Sequence, residues 1–244
     1  MTENIRPLRE PGFLDDAGDL LVAEPVVGAR DVPLGSVGRP SWRGRLHLIA
    51  LCSAIPLVVG LAILSDGARS RAAAIVYGVG LCSMFAVSTI YHRWVHTIRA
   101  RAAWRRADHA TIFAAIAGTC SAVALTSLST GRAIAMLVIV WSAAAVGAAF
   151  KIVSFDRAHR LGSVMYIALG WTGMALIPAV WRTGGALPVA LLAAGGVVYT
   201  VGALGFGRKW PTLSPLRFSY HEVWHVCTVV AAGLHFAAVC LLAT

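Results

Sequence analysis

The chain is expected to fold as an all-α, seven-transmembrane helix bundle, and three features carry that expectation. Hydrophobic residues make up 58% of its 244 residues, charged residues only 13%, and the mean hydropathy is +0.73. An ordinary soluble domain is roughly 45–50% apolar. The charges fall between long apolar runs, and a membrane-spanning helix needs about 20 apolar residues. Seven such runs can be marked, at 47–65, 72–95, 108–128, 133–150, 161–181, 187–206 and 220–243.

Residues 1–44 differ from the rest. They combine five Arg with seven Asp and Glu, several Pro and Gly, and no sustained apolar period. This composition predicts a flexible cytoplasmic tail, followed by a membrane domain over 45–244. The basic start, apolar run and small-residue cleavage site of a signal peptide are missing, so the first helix is expected to act as the internal targeting signal. Of the 21 Lys and Arg, all but Arg69, Arg71, Arg132 and Arg182 precede the first run or lie between runs 2–3, 4–5 and 6–7. The positive-inside rule then predicts a cytoplasmic N-terminus and an outside C-terminus. The net charge of +10 is explained by this topology and by anionic lipid headgroups, rather than by nucleic acid. Arg99, Arg101, Arg105 and Arg106, in the expected loop 2–3, form the strongest basic patch. The predicted location is the cell membrane, with multiple passes; the sequence does not give the oligomeric state.

Along the chain, Pro56 is expected to bend the first helix, which a membrane bundle tolerates. The second run ends in Ser88, Tyr91, His92 and Trp94, with Tyr91 and Trp94 suited to an interfacial belt. The third opens at Asp108 and His109, and the fifth ends near Pro178. Gly195 and Gly196 in the sixth favour close helix contact. Cys52, Cys82, Cys120, Cys227 and Cys240 all lie inside runs. Their odd number and the lack of a C-x-x-C pair argue for packing residues, not disulfides.

The chemistry concentrates at one membrane depth. Helix 2 runs towards the inside and ends there, whereas helices 3 and 7 start there, so His92, Asp108, His221 and His225 meet at the cytoplasmic edge. His221 and His225 lie about 40° apart around a helix axis and about 6 Å along it, and both can reach one ion. Three neutral imidazoles suit Zn²⁺ with a fourth position open for water, the catalytic pattern. Zinc lowers the pKa of bound water toward ~7, and Asp108 is the candidate to accept its proton and pass it to a leaving group. Ser88, one turn deeper than His92, is the second catalytic candidate.

Each residue also has a plainer reading. His92 suits the C-terminal end of a helix dipole, Asp108 suits an N-cap, His221 suits an interface, and Ser88 suits helix packing. His235 lies on nearly the same face as His221, about 15 Å beyond His225, too far to share the ion, and is expected to bond a neighbouring helix. His109 points away from Asp108 and suits a supporting or headgroup contact. His47, His96 and His159 sit at loop edges and carry no specific signal. Residues 221–225 match H-E-x-x-H, in which Glu222 would be a general base. Thr228 and Ala231 occupy the positions where the extended motif needs Gly and His, and no Asp or Glu follows Glu222. Glu222 is therefore expected off the ligand face, towards basic loops or solvent.

Ser88-x3-His92, then Asp108 in "DHATIFAAIAGT", then "YHEVWH…LHF" in the last run together resemble the hemolysin III family. That family is grouped with the progestin and adipoQ receptors, and alkaline ceramidases are wider relatives. The resemblance spans about residues 45–244 and departs from the family at "AGTCSA", where Cys120 stands in place of a Tyr. It implies seven helices, an inside N-terminus, zinc on His92, His221 and His225, and Ser88 and Asp108 near the zinc-bound water. It also implies a lipid amide as substrate, drawn from the surrounding membrane lipids. The alternative is a non-enzymatic, membrane-perturbing or membrane-sensing protein with structural zinc. A transporter is the weaker third reading, because His235 is the one obvious polar group near the midplane.

Overall fold

The structure, a computed structural model, describes residues 40–153 and 159–244 together with two short paired strands, β1 (Phe13–Leu14) and β2 (Leu20–Leu21). The tail expected over 1–44 thus lies almost wholly outside the described residues. Seven helical crossings long and apolar enough for a bilayer follow. They are α1 (Arg45–Leu64), α2 (Gly67–Arg93), α3 (Ile98–Ser127), α4 (Thr130–Val153), a composite fifth crossing, α7 (Ala186–Gly207) and α8 (Tyr220–Ala243). The fifth is α5 (His159–Trp171), a 3₁₀ turn at Thr172–Leu176, and α6 (Ile177–Gly184). It continues past Pro178, where the sequence suggested an end. Proline has no N–H to bond four residues back, so the ladder tightens and the Ile177 amide donates to Met174 O instead.

The turns that follow α1, α2, α3 and α6 are short, so the helices they join run antiparallel. Ser65 and Asp66 join α1 to α2: the Ser65 hydroxyl donates to Leu61 O at 2.7 Å, and the Asp66 amide donates to Ala243 O of α8 at 3.1 Å. α2 and α3 pack closely because Gly80 carries no side chain; a Cβ there would stand 2.7 Å from Ala114 O. On α7, Gly195 lies against Ala231 O and the His235 ring, whereas Gly196 meets nothing within 4 Å. Exposed side chains such as Ile63, Val138, Val146 and Val201 turn outward from the bundle, as lipid contact requires. The five cysteines are free.

α3 begins at Ile98, with Thr97 as its N-cap. Arg99, Arg101, Arg105 and Arg106 are therefore helical, not a loop, and Asp108 is no N-cap. Arg101 is buried with its guanidinium 5.3 Å from the Tyr91 ring centroid, so Tyr91 is a core residue and only Trp94 is exposed.

Residues 40–43 are built into the bundle. The amides of Ser41 and Trp42 donate to Leu216 O and Arg217 O ahead of α8, at 3.1 and 3.3 Å. Arg43 is buried, and its Nε lies 2.5 Å from Glu222 Oε1. Glu222 also completes a capping box: its other oxygen accepts from the Ser219 amide at 2.8 Å, and Ser219 caps the first turn of α8. Of the two surroundings expected for Glu222, basic segments or solvent, the structure has the first: the side chain is 0% exposed and meets Arg43. Removing one partner of a buried pair leaves the other charge uncompensated and costs about 3–5 kcal/mol. Arg43→Ala is accordingly expected to lower stability in detergent by about that amount, and Arg43→Met combined with Glu222→Leu to recover most of it. Thermal unfolding of the single and double variants measures the difference.

Candidate metal centre

The alternation of crossings brings the end of α2 and the starts of α1, α3 and α8 to one end of the bundle. His92 occupies the last turn of α2, and His221 and His225 the first two turns of α8. All three are buried. Their nitrogens converge: His92 Nε2 and His221 Nε2 lie 3.1 Å apart, and one ligand atom from each of the three lies within 4.8 Å of the others. The rings stand 4.6 to 5.1 Å apart at steep mutual angles.

The donor set fits a metal ion. Two nitrogens each about 2.0–2.1 Å from one tetrahedral ion lie roughly 3.3 Å apart, close to the His92–His221 separation. With both Nε2 lone pairs aimed at an ion, each ring carries its proton on Nδ1. The Nδ1 atoms of His221 and His225 are buried and have no hydrogen-bond partner among the described residues. The three rings can therefore hold a metal ion, which accounts better for three imidazoles packed edge to edge than helix capping or interfacial placement does.

Asp108, in the third turn of α3, stands beside the histidines. Its Oδ2 is 4.0 Å from His92 Nε2, and the buried Ser88 lines the same cavity as Asp108. A carboxylate at that distance neighbours the ligand set without joining it. His109 Nδ1 donates to Arg105 O at 2.9 Å, lies 3.8 Å from Asp108 Oδ2, and its carbonyl accepts from the Tyr166 hydroxyl at 3.0 Å. His109 therefore does not point away from Asp108, as its helical offset suggested, because its ring folds back over the preceding turn to Arg105 O.

The sequence reading missed several groups. His47 is 4% exposed and stacks on His225, with ring centroids 3.8 Å apart and planes 4° apart. Its own nitrogens have no hydrogen-bond partner among the described residues. The depth argument that placed His92 and His225 applies equally to a residue one turn into α1, and would have found it. Lys151, assigned to a headgroup-facing loop, is buried at the end of α4, with Nζ 5.6 Å from the Tyr166 ring centroid. Glu222 is held by Arg43 and Ser219, which removes it as the general base of an H-E-x-x-H protease. His96 is exposed, and the side chain of His159 lies outside the described residues.

A cavity of about 340 Å³ opens from this cluster into the bundle. Ser88, Asp108, His221 and His225 line one end, and its walls continue along α3, the fifth crossing, α7 and α8 as far as Leu192 and His235. His235 Nε2 donates to Leu192 O of α7 at 3.2 Å, the helix-to-helix bond expected of it.

Comparison with known proteins matches the same region. Hemolysin-3 of Bacillus cereus is 29% identical over 196 residues, covering 79% of this chain and 86% of the relative. The Hemolysin-3 homolog of Bacillus subtilis (strain 168) is 28% identical over 183 residues, covering 73% and 82%. The human Monocyte to macrophage differentiation factor is 26% identical over 192 residues, covering 76% and 77%. The sequence profile of the family described as Haemolysin-III related matches residues 36–236, which take in every residue of the histidine cluster, and the chain is a multi-pass membrane protein of that family, within the progestin and adipoQ receptor superfamily.

Proposed function

We propose that the protein is a zinc-dependent hydrolase of lipid amides in the cell membrane. The observation that carries this reading is the cluster of His92, His221 and His225, with Asp108 4.0 Å from His92 Nε2, beside a largely apolar cavity that Asp108, His221 and His225 line. When bound, zinc supplies a Lewis acid and a nucleophilic water near neutral pH. Asp108 accepts the proton given up by the attacking water as the new C–O bond forms, and returns it to the amide nitrogen as the C–N bond breaks. The products are a carboxylic acid and an amine. Ser88, which lines the same cavity, is the residue that would orient Asp108. The apolar walls of the cavity bind the acyl chain and exclude bulk water, which strengthens the electrostatic contacts at the reacting carbonyl.

The name Hemolysin-3 carried by the bacterial relatives favours a second reading, in which the metal is structural and the protein perturbs membranes without turnover. The two separate experimentally. Purified protein is expected to carry near one zinc ion per chain by elemental analysis, and His225→Ala to lose it. Asp108→Asn is expected to keep the metal and to hydrolyse lipid amides about 10²- to 10⁴-fold more slowly. If a broad panel of lipid amides is not turned over and a chelator changes nothing, the hydrolase reading is wrong. The placement of Lys and Arg supports a cytoplasmic N-terminus. A C-terminal alkaline phosphatase fusion, active only outside the cytoplasm, is expected to be active.

A further inference from the structure

The cavity ends at a second polar group that the hydrolytic site does not use. His235 lies in the latter half of α8, ten residues beyond His225 and therefore about 15 Å along the axis. His221, His225, Thr228 and His235 line the same cavity from one helix. The His235 ring is fixed on its Nε2 side: Nε2 donates to Leu192 O at 3.2 Å, and Gly195 leaves room for the ring edge. A carbonyl can only accept, so the proton is on Nε2 and Nδ1 is an acceptor. No hydrogen bond to Nδ1 is found among the described residues. Tyr199 of α7 stands beside it, with ring centroids 5.6 Å apart, and also lines the cavity. No hydrogen bond to its hydroxyl is found among the described residues either.

The two rings thus stand side by side in the wall of a largely apolar chamber, well away from Asp108 and the histidine cluster at its other end. Polar groups within spans are costly and mark ligand paths, and one buried without a partner forfeits its hydrogen bond. A hydroxyl, with one donor and two acceptor sites, satisfies both groups at once. The chamber, about 340 Å³, falls in the range of small-molecule sites. We propose that His235 and Tyr199 form a recognition site for a hydroxyl carried in the middle of an acyl chain whose carbonyl end lies at the histidine cluster. The substrate class this selects is the amide of a mid-chain hydroxy fatty acid. The proposal rests on the hydrolase reading for the direction in which the chain lies, but its recognition step requires no turnover.

The test compares oleoyl and ricinoleoyl ethanolamide, which differ by one mid-chain hydroxyl, as ligands of the full chain in lipid nanodiscs. Binding is measured by quenching of intrinsic tryptophan fluorescence, with hydrolysis followed in parallel. The expected result is about a five- to tenfold preference for the ricinoleoyl amide, the worth of one satisfied hydrogen-bond pair. His235→Leu is expected to abolish the preference, read as the ratio of the two affinities in the same variant. Tyr199→Phe, which removes a single oxygen, is expected to reduce it and serves if the His235 variant does not fold. Equal affinities in the unsubstituted protein, or a preference that survives both variants, would overturn the proposal and leave His235 as a tie between α7 and α8. A preference in binding without hydrolysis of either amide upholds this site and removes the hydrolase reading instead.

Discussion

Inside a bilayer there is no water to complete a polar group, so each ring nitrogen and carboxylate in this bundle needs a partner supplied by the protein or by something the protein holds. That constraint organises the end of the molecule where α1, α2, α3 and α8 meet. Arg43 answers Glu222, and Arg105 O answers His109. The three histidines are left facing one another across a space suited to an ion. Their convergence comes from helices that begin and end at the same level, each contributing residues from its outermost turns.

The two sides of the cluster are built differently. α8 is fixed at its first turn by a side-chain cap, the capping box of Ser219 and Glu222, and by the strand of chain before α1 that crosses it. α2 and α3 are fixed by backbone proximity at Gly80. The fifth crossing is tied by side chains, Tyr166 to His109 O and Thr183 to Ser127, and its ladder changes pitch at Thr172–Leu176, where the cavity wall is formed partly by Gly173 and Met174. The regular helices carry the histidines, and the irregular one borders the cavity.

Run length and hydropathy made the seven crossings legible, because membrane helices are specified by composition over some twenty residues. The depth of His92, Asp108, His221 and His225 followed from counting crossings. What failed was anything that depended on a partner from a distant segment. The start of α3 was read ten residues late because its first turns are rich in arginine, and charge was taken as loop. Arginine is a good helix former whose apolar stem packs against neighbours, and Arg101 does so on Tyr91. His47 looked like a loop-edge residue because nothing local distinguishes a histidine facing lipid headgroups from one stacked on another imidazole. A basic partner is foreseeable for Glu222, but not which one, because Arg43 lies 179 positions earlier in the chain.

The ion pair between Arg43 and Glu222 also ties together two parts of the molecule that sequence would treat as separate. Glu222 is covalently adjacent to His221, and Arg43 sits at the root of the N-terminal segment. The two members of that pair, Arg43 ahead of the first crossing and Glu222 in the last, thus fasten the first and seventh crossings to each other within one residue of the histidine cluster.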